Sequence, residues 1–201
     1  MGNVQYINAQ HFISIGKELL SLRNENPEGC PYDSIKHFIK DCLKNRRMNK
    51  EERARIKRLS ENTTGCEILF YIAAIVYLGD KVYQRLKGGF KEEVYQDALE
   101  KELIWNHIPY IREKHLSIYY ADDNGNDVEL QHAFRADFFV NNQIVVETKA
   151  RFIDMQSSKE SENNPSWVQT QIENYMAATK QNYGILLNFY GANIFSTLYI
   201  R

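Results

Sequence analysis

A mixed α/β fold is what this 201-residue sequence predicts, and three observations predict it. Apolar residues recur at helical spacing through most of the chain up to residue 88. From residue 110 onward, β-branched and aromatic runs take over. Between Arg135 and Ala150 two such runs flank a short polar cluster, and three ionisable groups interrupt their apolar body. The length allows one large or two small domains, and the change of character at Gly89 divides the chain into a helical N-terminal region, 1–88, and a sheet-bearing domain, 89–201.

Composition narrows the class further. A hydrophobic fraction of 43%, with thirteen Tyr and ten Phe, is enough to bury a sizeable core. A net charge of -1 gives no global sign of nucleic-acid binding, so any such reading rests on local asymmetry. Cys30, Cys42 and Cys66 are odd in number and lack metal-type spacing, which reads as reduced thiols in an intracellular, cytoplasmic protein. The N-terminus has no basic segment followed by an apolar run. The most apolar stretch, Ile68 to Leu78, is too short to span a bilayer, so no membrane partner is expected.

Taken in order, residues 8–24 form the first expected helix through Phe12, Ile13, Ile15, Leu19, Leu20 and Leu22. A turn at Gly29-Cys30-Pro31 leads to a second helix from Asp33, whose stripe is Ile35, Phe38, Ile39, Cys42 and Leu43. Around and beyond it lies the strongest charge asymmetry in the chain, in which Lys40, Lys44, Arg46, Arg47, Arg53 and Lys57 form a candidate nucleic-acid-binding surface. An ordinary solvated helical face fits the same residues. After Asn62-Thr63-Thr64-Gly65 a long helix runs to Leu86 and stops at Lys87-Gly88-Gly89.

Phe90 to Ile108 reads as an amphipathic helix with Val94, Tyr95, Ala98, Leu99, Leu103 and Ile104 as its apolar positions. Acidic Glu92 and Glu93 in its first turn are what the helix dipole favours. Tyr110 to Tyr120 is a strand, Asp122-Asp123-Asn124-Gly125 a turn, and Val128 to Phe134 leads into a hairpin. Phe138 to Val140 and Ile144 to Val146 are the arms of that hairpin. Side chains alternate along a strand, so Glu147 and Lys149 share a face. A three-residue turn at 141–143 pairs Val140 with Ile144 and brings Asp137 opposite Glu147; a two-residue turn sends Glu147 to the other side. Asn tolerates the left-handed backbone that the odd-length turn needs.

Two carboxylates side by side on strands repel unless a cation or a proton intervenes. Hard oxygen donors at that spacing suit Mg²⁺ or Mn²⁺. A lysine two residues beyond the second carboxylate can stabilise a developing oxyanion. The same string fits a solvated sheet edge with a Glu–Lys pair.

Gly89-Phe-Lys-Glu92-Glu-Val-Tyr95 matches the Gly-x-x-Glu-x-x-Tyr signature of the GxxExxY proteins. The match continues through Arg135-Ala-Asp137, Glu147-Thr-Lys149-Ala, Gln171-Ile-Glu-Asn-Tyr175 and Gly184-Ile-Leu-Leu-Asn188-Phe189. On these five ordered landmarks residues 89–201 resemble that family, which belongs with the PD-(D/E)XK nucleases. The resemblance implies a PD-(D/E)XK nuclease-like core, a mixed sheet flanked by helices. It also implies a metal-dependent nuclease that hydrolyses phosphodiester bonds in nucleic acid, DNA ahead of RNA. Glu92, Asp137 and Glu147 are then the metal carboxylates for Mg²⁺ or Mn²⁺, with the Thr148 carbonyl as a further ligand. Lys149 assists the attacking water, and Gln171 and Tyr175 position substrate or lysine. The other outcome is a catalytically silent nuclease-fold module that docks nucleic acid or a protein. Two features depart from the family: a long polar link, Phe152 to Trp167, and Val168 where a histidine is expected. Trp105 and Trp167 read most simply as packing residues, with base stacking as the other use open to Trp167, and the oligomeric state stays open.

Overall fold

The computed structural model describes residues 5–25, 36, 50–151 and 165–201. Their strands are β1 (Gln5–Asn8), β2 (Tyr110–Ala121), β3 (Asp127–Val140), β4 (Ile144–Lys149), β5 (Tyr183–Asn188) and β6 (Phe195–Ile200). Their α-helices are α1 (Phe12–Glu25), α2 (Lys50–Leu59), α3 (Thr63–Leu86), α4 (Glu92–Trp105) and α5 (Pro165–Ala178). The strands form one sheet in the order β1-β6-β5-β4-β3-β2. Neighbours are antiparallel except β4 and β5, which run parallel, so the sheet is mixed as expected.

Helix α3 is the central post of the molecule. The Asn62 side chain accepts the Gly65 N–H at 2.8 Å, and the helix stops where Lys87 turns to φ 60° and returns its N–H to the Tyr83 carbonyl. From Ile68 to Val76 every side chain is buried, because α1 covers one flank and the sheet another. Gly16 permits the α1 contact: a Cβ there would lie 2.0 Å from the Ala73 carbonyl oxygen. One hydrophobic cluster unites α1, α3 and α4 with Phe138, Val140, Ile144, Val146, Ile185, Leu187 and Leu198 of the sheet. On the opposite face α5 packs Val168, Ile172, Tyr175 and Met176 over Phe139, Val145 and Leu186. Residues before position 88 and after it therefore share a core.

Several expectations change. The N-terminal region is not all helical: Gln5–Asn8 is a strand, held antiparallel to β6 by a partner almost the whole chain away. Helix α4 is shorter than Phe90–Ile108, and Val94, Ile104 and Trp105 are exposed. Its buried side carries Tyr95, Gln96, Leu99, Glu102 and Leu103 instead. Glu102 is buried there because Lys81 Nζ and Arg85 Nη1 of α3 each meet it at 2.7 Å. Trp167 is also exposed and not packed in the core. The second expected helix, with Lys40, Lys44, Arg46 and Arg47, and the link 152–164 lie outside the described residues. No described helix is long and apolar enough to cross a membrane.

Candidate active site

The β3–β4 hairpin has the three-residue turn, with Val140 paired to Ile144 and the Gln143 N–H returning to the Val140 carbonyl at 3.0 Å. Asn141 and Asn142 take φ of 50° and 52°, the left-handed backbone that asparagine tolerates. In the same register Asp137 would face Glu147, yet the ladder stops at Phe138–Val146. There the Asp137 carboxylate replaces the strand partner. Its Oδ2 accepts from both the Thr148 N–H and the Thr148 Oγ1, each at 2.7 Å.

Glu147 and Lys149 are buried in the last turn of the pleat on β4. The Lys149 Nζ donates to Glu147 Oε1 and to the Thr148 carbonyl, and stands 3.6 Å from Glu92 Oε1. Glu92 arrives from the first turn of α4 with about a third of its side chain exposed. Burial, followed by the negative charge of Asp137, pushes the Glu147 carboxyl up to about 8 despite the amine beside it. Glu92 is raised as well, chiefly by burial, with Asp137 adding to it and Lys149 and Arg151 opposing. For Lys149, burial alone favours the neutral amine, but Glu147 and Glu92 outweigh it and hold the group above its ordinary value. Lys149 keeps Glu92 and Asp137 as partners even when Glu147 carries a proton, so the ammonium persists and Glu147 is the group that titrates.

Gln171 and Tyr175 of α5 meet each other, Nε2 to hydroxyl at 2.8 Å. Tyr175 is buried and its ring lies 5.3 Å from that of Phe134. Burial raises its hydroxyl pKa, against the Gln171 hydrogen bond, and Glu147 adds to the rise, which sets this pair beside the carboxylates. The structure thus gathers Glu92, Asp137, Glu147, Thr148, Lys149, Gln171 and Tyr175 at one place. Arg53 and Lys57 are on α2, which packs against α3.

Sequence reasoning passed over two groups that complete the arrangement. Gln96 is buried on α4 and its Nε2 donates to Thr148 Oγ1 at 2.9 Å, so that hydroxyl is free to give its own proton to Asp137. Its signal was the four-residue spacing from Glu92, which places both on one helix face. Asn188, paired with Lys149 across the parallel strands, donates to the Arg151 carbonyl at 3.1 Å and keeps its Oδ1 buried without a partner among the described residues. Tyr95 serves the scaffold. Its hydroxyl donates to the Lys87 carbonyl at 2.6 Å, and its ring stacks on Phe189 at 4.6 Å.

The donor set fits a hard divalent cation. Glu147 Oε2 is buried with no hydrogen-bond partner among the described residues, next to two more carboxylates. As placed, no three His, Cys, Asp or Glu side chains among the described residues could enclose an ion, and Lys149 bridges Glu147 and Glu92. Two grooves, of about 550 and 370 Å³, run beside the C-terminal end of α5 along Ser117 and Tyr119. Glu92, Asp137 and Glu147 line neither of them.

The family model of the PD-(D/E)XK nuclease superfamily matches residues 71–197. No curated protein matches the chain. The crystal structure of SSO0001 is similar over 85% of this chain and 77% of that one, at 14% identity and a TM-score of 0.39, a distant likeness only. The matched span takes in the C-terminal part of α3, all of α4, the β3–β4 hairpin with its carboxylates, α5, β5 and the start of β6, and by it this chain belongs to the PD-(D/E)XK nuclease superfamily.

Proposed function

We propose that the chain is an Mg²⁺- or Mn²⁺-dependent phosphodiesterase that hydrolyses nucleic acid, DNA ahead of RNA, and that it falls among the GxxExxY proteins of its superfamily. The observation that carries this is the unpartnered, buried Glu147 Oε2 facing the charges of Asp137 and Glu92. A protein with no use for a cation gains nothing from such a cluster, because like charges in a low-dielectric site cost stability. Superfamily membership supplies the reaction class, phosphodiester hydrolysis.

Glu92, Asp137 and Glu147 would hold the ion, with the Thr148 carbonyl as a further donor. When bound, the cation polarises the scissile phosphate. Lys149, hydrogen-bonded to Glu147 and to the Thr148 carbonyl, presents its ammonium to the water that attacks phosphorus and to the charge that grows on the phosphate oxygens. The new P–O bond forms from that water as the ester P–O bond breaks, and the proton the water gives up is balanced by the one that ends on the leaving oxygen. Tyr175 and Gln171, hydrogen-bonded to each other, stand beside the carboxylates. Asp137 is oriented by Thr148, so Oδ2 is spoken for and Oδ1 is the oxygen left for the ion.

The silent-module reading has one observation in its favour, the amine of Lys149 already bridging the acids. Cutting assays separate the two. Purified protein should degrade DNA or RNA in Mg²⁺ or Mn²⁺ and stop in chelator, and calorimetry should show Mn²⁺ binding that requires Glu147. A protein that takes up no Mn²⁺ and cuts neither polymer is the silent module.

The Gln96–Thr148–Asp137 chain makes a finer test. Thr148→Val keeps the shape and deletes the hydroxyl that Asp137 accepts from, so Mn²⁺ affinity and turnover should each fall about 10- to 100-fold, the usual effect of a group supporting a metal ligand. Thr148→Ser should restore most of both. Equal behaviour of Val and Ser variants in a Mn²⁺ titration rejects the role.

A further inference from the structure

Three aromatic rings stand exposed around the mouth of the carboxylate cluster, at the C-terminal end of the parallel β4–β5 pair. Phe90, two residues before Glu92, is 49% exposed; Tyr190, just past β5, is 49% exposed; Trp167, in the first turn of α5, is 45% exposed. Phe90 and Trp167 are tied to it by ring contacts, and Tyr190 by its place two residues after Asn188. The Phe90 ring lies edge-on to Tyr95 at 6.2 Å, and Tyr95 stacks on Phe189, the neighbour of Tyr190. The Arg151 guanidinium lies over Trp167 at 5.6 Å, while the Arg151 charge acts on Glu92 and its carbonyl is held by Asn188. Isolated exposed rings are ordinary on a protein surface. Rings at the start of α4, just past β5 and in the first turn of α5, near the segments that carry the acid cluster and with a guanidinium over one of them, are a specific arrangement.

The charge pattern says what covers them. A guanidinium next to the metal carboxylates complements a phosphate that must approach the same place. Planar rings beside a phosphate site offer stacking platforms to bases, and any base can use them. A duplex keeps its bases stacked on one another and shows only phosphates and groove edges. We propose that this rim stacks unpaired bases, so that the substrate class is single-stranded nucleic acid, or the frayed or flapped end of a duplex. The inference deepens the nuclease reading and rests on it for the reaction, though not for binding.

Binding can be read without turnover. In a Trp105→Phe background, which leaves Trp167 as the sole tryptophan, a single-stranded oligonucleotide added in chelator should quench the fluorescence. A blunt duplex of the same sequence should bind at least about tenfold more weakly, and a strand carrying abasic sites should also lose affinity. Phe90→Ala and Tyr190→Ala should each weaken the intact strand about tenfold and leave the abasic strand nearly unchanged, since the lost partner is the base. Equal affinity for strand and duplex, or ring variants that bind the intact strand as the parent does, overturns the inference. If the rings prove necessary for strand binding but Mg²⁺ and Mn²⁺ yield no cutting, the nuclease reading fails and the rim stands. If cutting occurs with no preference for unpaired bases, the rim alone fails.

Discussion

Lys149→Met should slow single-turnover cleavage by about 10²- to 10³-fold, the range for losing one group aimed at developing charge, while Mn²⁺ binds more tightly than to the parent. The two effects have one cause. The Lys149 amine bridges Glu147 and Glu92, so it serves as an internal counter-cation for acids that an external ion must also neutralise. Methionine keeps the bulk of the stem and removes the charge. Glu147 answers by holding its proton in the metal-free protein, which limits the damage to the fold. Rate is measured with saturating Mn²⁺ and affinity by calorimetry. A variant that cuts at the parental rate would remove Lys149 from the chemistry, and one that binds Mn²⁺ more weakly would show that the amine supports the cluster instead of competing with the ion.

For Glu147→Gln the expected signs are reversed between stability and activity. The carboxyl titrates at about 8 in the folded protein against an ordinary value of 4.5. Between those values the folded protein holds a proton that the unfolded chain has released, so in chelator stability falls as pH rises from about 4.5 to about 8. Lys149, raised above 10.5, stays charged across that window and adds no slope of its own. Glutamine has no proton to lose. The variant should therefore have a flatter profile of Tm against pH, and above pH 8 a higher Tm than the parent in chelator. Adding Mn²⁺ should reverse the ranking, since a ligand at about 100 times its Kd stabilises the binding form by about 2.7 kcal/mol. Cleavage should be lost in the same variant. Parallel pH profiles in chelator would mean that Glu147 is not the titrating group.

Much of this site was legible before any coordinates because strand parity is a rigid rule. Once Val140 pairs with Ile144, Asp137 and Glu147 must come together, and two asparagines at 141 and 142 make the odd-length turn accessible. What parity could not show was how Asp137 is used. Its side chain ends the ladder by taking the Thr148 N–H, a choice decided by local geometry at one strand end. Nor could periodicity find β1. Four residues carry too little pattern, and only the distant β6 makes them a strand. In α4 the helical stripe misjudged Val94 and Ile104, because the neighbouring helix supplies two cations that make burial of Glu102 acceptable and rotate the buried face toward polar positions. Trp105 and Trp167 were read by residue type alone, and type alone does not report which side of a helix faces solvent.

The hydroxyl of Tyr95, fastened to the Lys87 carbonyl and stacked on Phe189, separates two duties that a single string of letters runs together. Glycine and tyrosine in that string answer to architecture, and under the proposed function the acid between them answers to reactivity. On that proposal a descendant that abandoned hydrolysis would be free to shed Glu92 while still needing Tyr95 to stay upright, so the middle letter would be the one to record whether the chemistry had been kept.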